Sequence, residues 1–291
     1  MQKTFDTPGE VHITVENSVG LVVVTAAETS TTEITVQAST PDAQDLVDQT
    51  TIECHPSGGR HAGLVKIPSR HGPRFMRRNG VTVRVTLPRD GEVDVSTASA
   101  DIELRGPMGA IDVKTASGDI SADDVARGLR AKTASGDVTV GQVGGDLRMH
   151  TASGDLRCRR VGGRAEVAST SGDLDLESIG CGLQARATSG DVRVGELTGD
   201  TNIVAVSGHV SIRCVEEGSV LARSVSGDVE VGIARGVQLS IDAETMSGTV
   251  HSEIPLGDAP SDVSEDPRVT ITMRTVSGNI EVGRAVRVVA G

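Results

Sequence analysis

The stretch T-A-S-G-D-V-T-V-G-Q-V-G-G-D-L-R-M-H at residues 133–150, followed at once by T-A-S-G-D-L-R-C at 151–158, decides how this chain reads. Its Ser-Gly-Asp core, or a close variant, begins at Ser99, Ser117, Ser135, Ser153, Ser171, Ser189 and Ser207, and every step is 18 residues. The series continues at Ser226, Ser247 and Ser277 with steps of 19, 21 and 30, so the last copies carry insertions. Ten copies, six of their steps identical, mark an architecture built by stacking.

Counting from each Ser as zero, position 3 holds Ile120, Val138, Leu156, Leu174, Val192, Val210 and Val229. Position 5 holds Ala122, Val140, Cys158, Leu176, Val194, Ile212 and Val231, and position 8 holds Val125, Val143, Val161, Ile179, Leu197 and Val215. Positions 12 and 14 add Leu129 and Ala131, Leu147 and Met149, Ala165 and Val167, Leu183 and Ala185. Alternation of this kind means two short strands per copy, each with one face inward. Neither strand can bury that face alone, so successive copies must stack. The expected fold is all-β: a single-stranded parallel β-solenoid (β-helix) with two short strands per 18-residue coil. Its ten or so coils, at ~4.8 Å each, would extend about 48 Å.

Two other 18-residue architectures fail. A left-handed hexapeptide helix needs an apolar residue every six positions, but Val138 is followed at those steps by Gly144 and His150. The calcium-binding nonapeptide roll needs G-G-x-G-x-D turns, which are missing, although G-G-D-L at 144–147 mirrors S-G-D-L at 153–156. The Ser-Gly-Asp unit reads as the bend between two sheets. Gly supplies a backbone conformation closed to other residues, and Ser and Asp bond N–H groups within their own turn.

The remaining sequence divides into an N-terminal β cap, residues 1–90, and the repeat region, 91–291, with an insertion loop at 255–268. Within the cap, 11–16, 21–25, 33–38, 51–54 and 81–87 read as strands, and 286–289 as a weak last strand. Residues 41–50 read as a short helix capped by Asp42. Residues 55–79 read as a basic, Gly-rich loop: from 54 to 89 there are eight Lys or Arg and no Asp or Glu.

Composition agrees with a narrow core of small residues. The chain has 35 Gly, no Trp, no Tyr and two Phe, so large aromatic side chains supply almost none of its buried area. A net charge of −12 favours solubility and opposes general binding to nucleic acid or anionic membranes. No run approaches the ~18 apolar residues of a membrane helix, so membrane insertion is not expected. The opening residues lack the apolar core of a signal peptide, and Cys54, Cys158, Cys181 and Cys214 form no paired pattern. Both features predict a reduced, cytoplasmic protein.

The T-A-S-G-D-[VIL]-x-V units at Thr115, Thr133 and Thr151, and the strand at 81–87 leading through Pro88 into the first copy, resemble the bacterial β-strand-repeat "putative adhesin" family of unknown function. The resemblance spans about residues 80–283 and implies the solenoid fold. It carries no catalytic residues. Through relatives attached to envelope-stress proteins, it implies a scaffolding or regulatory role.

Three chemistries can be weighed on the residues. The recurring Asp101, Asp119, Asp137, Asp155, Asp173, Asp191 and Asp228 would stack as a carboxylate ladder, interrupted at His209, Thr249 and Asn279. Calcium is one way to relieve its repulsion. Turn hydrogen bonds, helped by Lys114, Lys132 and Arg186, are the expected way, so no metal or other cofactor is predicted. Cys54, His55, His61 and His71 match no familiar zinc spacing. The basic residues Arg60, Lys66, Arg70, Arg74, Arg77 and Arg78 are the candidate partner-binding group, with pairing to the acidic repeats as the ordinary alternative.

No G-x-S-x-G elbow, P-loop, H-E-x-x-H or dinucleotide-binding glycine motif occurs, so no enzyme is expected. The sequence therefore predicts a scaffold or protein-interaction module with an unidentified protein partner, able to self-associate by end-to-end or edge contacts. The alternative is an anion- or nucleic-acid-binding protein acting through residues 60–78. A carbohydrate-active β-helix enzyme is a remote third reading, since the aromatic sugar platforms are missing.

Overall fold

Parallel ladders run from strand to strand at the 18-residue period, as the columns require. A computed structural model describes residues 1–57, 60–68, 80–254 and 269–285, apart from the side chain of Ser57. The chain forms two compact units, Met1–Gly154 and Asp155–Gly291.

In the first unit, the strand Val11–Ala27 lies parallel to Glu92–Ser117, with partners from His12↔Glu92 to Thr25↔Arg105. The separate strands expected at 11–16 and 21–25 are thus one. Gly20, at φ +126°, turns the corner without leaving the ladder, and a Cβ there would strike the Val81 carbonyl. The other edge of Val11–Ala27 takes Arg60–Lys66 along its first half and Val81–Pro88 along its second, both parallel. Beyond them the direction reverses. Thr51–Ser57 runs antiparallel to Arg60–Lys66, Thr31–Ala38 to Val81–Pro88, and Gln2–Asp6 to Thr31–Ala38.

Much of the segment expected as a basic loop is therefore a hairpin. Its Gly63 and Val65 are buried, and a Cβ on Gly63 would press on Ile13 Cδ1, which would have to shift to make room. The expected helix appears as a 3-10 turn, Pro41–Ala43, and an α-helical turn, Gln44–Asp48. Pro41 opens it, so Thr40 occupies the cap position and Asp42 falls inside the first turn.

Going on through this unit, the copies stack in register: Ile102↔Ile120↔Val138 in one ladder, Ile111↔Leu129↔Leu147 in the other. In the second unit the corresponding ladders are Leu156↔Leu174↔Val192↔Val210 and Ala165↔Leu183↔Thr201↔Val220. The apolar residues at positions 3, 5, 8, 12 and 14 are buried throughout these coils.

The end of the second unit departs from chain order. Val210–Ser226 pairs with Val269–Ser277, and that strand pairs on its far side with Leu239–Ser247. The last copy is thus inserted between its two predecessors, and the copy at Ser247 lies outermost. Its Leu239, Ile241 and Ala243 remain half-buried, whereas Val220, Ala222, Ile271 and Met273 of the coils inside it are fully buried. The insertion 255–268 and the weak strand 286–289 lie outside the described residues.

The bend glycines explain the regularity. Gly118, Gly136, Gly154, Gly172, Gly190, Gly208, Gly227 and Gly278 all have positive φ, between 122° and 155°. A Cβ on Gly136 would also run into the carbonyl oxygen of Gly118 in the preceding coil. Gly136→Ala should therefore cost about 3 kcal/mol or more in urea unfolding, combining left-handed strain with a backbone clash. Gly9→Ala, at φ +107° with open space around it, should cost only about 1 kcal/mol.

Candidate interaction surfaces

Of the candidate basic residues, Arg60 and Lys66 lie at the two ends of one hairpin strand, Arg60–Lys66, which pairs along the acidic edge of Val11–Ala27. Arg60 Nε is 2.6 Å from Glu10 and its Nη1 is 3.6 Å from Glu92, and Lys66 Nζ is 2.8 Å from Glu16. Both cations thus have carboxylate partners within the chain, in exposed pairs worth about 0–1 kcal/mol each. Arg70, Arg74, Arg77 and Arg78 lie outside the described residues.

The Asp column forms a hydrogen-bonded ladder of a kind the sequence did not reveal. The carboxylates of Asp101, Asp119, Asp155 and Asp173 accept not from their own turns but from the backbone N–H of the adjacent coil's column residue. Asp119 N–H donates to Asp101 at 3.1 Å, Asp137 to Asp119 at 2.9 Å, Asp173 to Asp155 at 3.0 Å and Asp191 to Asp173 at 2.9 Å. The expected interruptions are chemical substitutes. His209 N–H donates to Asp191, and His209 Nδ1 in turn accepts from Asp228 N–H at 3.3 Å. Asn279 N–H donates to Asp228 at 2.7 Å, and Asn279 Oδ1 accepts from Thr249 N–H at 3.1 Å.

The cations that steady this ladder also differ from those expected. Lys114 pairs with Asp112 at 3.4 Å, away from the column. In the second unit Arg157 reaches Asp155 at 3.1 Å, and Arg193 bridges Asp173 and Asp191. The Asp191 N–H, then the Arg193 guanidinium, hold the Asp173 carboxyl below the usual range. That carboxyl therefore stabilises the fold above its unfolded pKa of about 4, and its contribution fades as pH falls through the lower folded value.

Cys54 and His55 sit on Thr51–Ser57 opposite Gly63 and Ala62, while His61 faces Pro56. Among the described residues, no group of three His, Cys, Asp or Glu side chains is placed to hold a metal. His71 lies outside them. Burial pushes the Cys158 thiol up to about 12, which suits a small core residue in the position-5 column.

One surface escaped the sequence reading. Position 17, just before each Ser, places Val206, Val225, Val276 and Met246 outward in the second unit, in register on adjacent strands. Their exposures are 44, 50, 45 and 81%. The same column begins in that unit with Thr170 and Thr188. The column and its apolar run were legible from the repeat; the structure adds that Val276 lies between Val225 and Met246.

The ladder makes a sharp prediction. Asp119→Ala removes the acceptor of the Asp137 N–H and should cost about 1–2 kcal/mol in urea unfolding. Asp119→Asn keeps an acceptor oxygen and should cost less than half as much, as the natural Asn279 implies.

With the geometry in hand, comparison with known proteins places the chain. The model of the Toastrack DUF4097 family matches residues 11–283. A "putative adhesin" from Bacteroides fragilis NCTC 9343 shares 13% identity at a TM-score of 0.45, covering 97% of this chain and 96% of that one. One from Parabacteroides merdae ATCC 43184 shares 12% at 0.45, with coverage of 97% and 95%. A "putative lipid binding protein" from Parabacteroides distasonis ATCC 8503 shares 12% at 0.36, with coverage of 97% and 96%. Likeness at these scores carries no argument about activity, and no curated protein matches the sequence. The match over 11–283 nonetheless spans nearly the whole chain, which belongs to the Toastrack DUF4097 family.

Proposed function

We propose that this protein is a non-enzymatic interaction module whose second unit takes up an extended segment of a partner protein. One observation carries the reading: the outermost strand, Leu239–Ser247, has no strand on its outer edge among the described residues, and its core positions are half-exposed. Such an edge offers backbone hydrogen bonds to an added strand, with side-chain pockets at alternate positions for specificity. The exposed Val206–Val225–Val276–Met246 column ends at this strand, so an added strand would extend it by one more apolar residue. The occupant is therefore an extended peptide with apolar residues at alternate positions.

The non-catalytic part of the reading is supported by the resolved pKa shifts. Each traces to simple burial or to the carboxylate ladder and its arginine partner. The cytoplasmic assignment is likewise ours, supported by four cysteines that are all free thiols.

The chain itself supplies a probe. Val269–Ser277, V-T-I-T-M-R-T-V-S, already occupies the inner edge of Leu239–Ser247 in register. A fluorescently labelled peptide of that sequence should bind the full-length protein in an anisotropy titration, and a scrambled peptide should not. Leu239→Lys with Met246→Lys should weaken binding tenfold or more, about 1.4 kcal/mol. Equal binding of the two peptides, or unchanged binding to the variant, would refute the reading.

A further inference from the structure

The unit Met1–Gly154 carries two charge ladders flanking one bend edge. The first is cationic. Lys114 and Lys132 point outward in register on adjacent coils and His150 continues their column, with Arg130 and Arg148 in the next outward column. Lys114 and Arg130 share Asp112, at 3.4 and 3.7 Å. Among the described residues, neither Lys132 nor His150 takes part in an ion pair. Lys114 and Lys132 do not neutralise the Asp column, as their sequence position suggested they would.

The second ladder is anionic: Asp101, Asp119 and Asp137, all exposed. Two residues further on, where the other unit carries Arg157 and Arg193, this unit has Glu103, Ser121 and Thr139. Among the described residues, Asp101 and Asp119 therefore have no cation, and their only side-chain partners are the N–H groups of the next coil.

Between the two ladders runs a column of Ala98, Ala116, Ala134 and Ala152, all exposed. Methyl groups along this edge leave nothing protruding to hold a flat surface away.

The two ladders share one pitch, ~4.8 Å, because the same backbone spacing sets both. Parallel rows of opposite sign and equal pitch, set on either side of a smooth stripe, are complementary to themselves. A two-fold rotation lays the cationic row of one copy on the anionic row of another, and the reverse, which is the requirement for an isologous contact. We propose that the alanine-lined edge of Met1–Gly154 is the surface through which two copies of this chain pair, held by ladder-on-ladder ion pairs. A second copy fits better than an unrelated polyanion, which would meet the cationic row but be repelled by the Asp row beside it. The net charge of −12 opposes association only at short range, since at about 0.1 M salt charges more than ~10 Å apart are screened. The proposal is independent of the edge strand in the other unit.

Sedimentation velocity of the full chain tests it. The wild type should be dimeric at about 0.1 M salt and dissociate at about 1 M, where the screening length falls to about 3 Å. Lys114→Glu with Lys132→Glu should weaken the dimer at least tenfold at low salt. Asp101→Asn with Asp119→Asn should do the same, and this pair keeps the acceptor oxygens that the fold needs. A wild type that stays monomeric would overturn the proposal, as would a dimer that resists either pair of substitutions. Retention of a monomer on heparin, lost with Lys114→Glu and Lys132→Glu, would also overturn it and assign the cationic row to a polyanion.

Discussion

Every coil of this protein must satisfy one amide that the bend would otherwise strand. In a parallel stack the strands satisfy their backbone groups from neighbouring coils, but the turn breaks the ladder at the column Asp. The glycine N–H before it still finds a backbone acceptor, as from Gly118 to the Ser135 carbonyl at 3.2 Å. The residue after it donates to the next coil's Asp carbonyl, as from Ile120 to Asp137 at 2.9 Å. The Asp N–H itself is completed by a side chain, the carboxylate one coil back. The same unit therefore demands Gly for its conformation and an acceptor-bearing residue for its neighbour. The repeat persists because each copy completes the next one.

This dependence makes the C-terminal order intelligible. Coils follow the acceptor chain rather than the polypeptide: Asp228 serves Asn279, and Asn279 serves Thr249. Thr249 belongs to the outermost coil, and among the described residues no further coil's amide calls on it. The residue least suited to pass on an acceptor thus stands where none is needed. His209, inside the stack, meets the demand through a ring nitrogen.

The columns themselves were legible, because burial at positions 3, 5, 8, 12 and 14 is a property of period and polarity alone. The order of the last two coils was not. Ile241 and Ile271 are interchangeable as core residues, and a 30-residue step reveals an insertion without saying on which side it returns. At position 17 the same limit concerns order alone: Val206, Val225, Met246 and Val276 stand in four consecutive copies and read as one apolar column, but only the structure places Val276 between Val225 and Met246. The hairpin at 51–66 was hidden for a different reason. Its inward Gly63 carries no apolar side chain, so the alternation that would mark a strand is broken where packing on Ile13 is closest. Since backbone and bend fix the fold, the outward columns are free to differ between the two units. One sets cations and carboxylates beside alanine, and the other sets valine and methionine beside an open edge.

Amide hydrogen exchange, resolved at single residues, tests the inter-coil bond most directly. The amides of Asp119, Asp137, Asp173 and Asp191 lie in exposed bends, outside any strand, and a local turn would leave them open to solvent. The structure predicts that they exchange as slowly as the adjoining strand amides of Ile120, Val138, Leu174 and Val192. Exchange at the rate of the exposed loop around Gly236 would contradict the account, because the carboxylates would then not be holding one coil to the next.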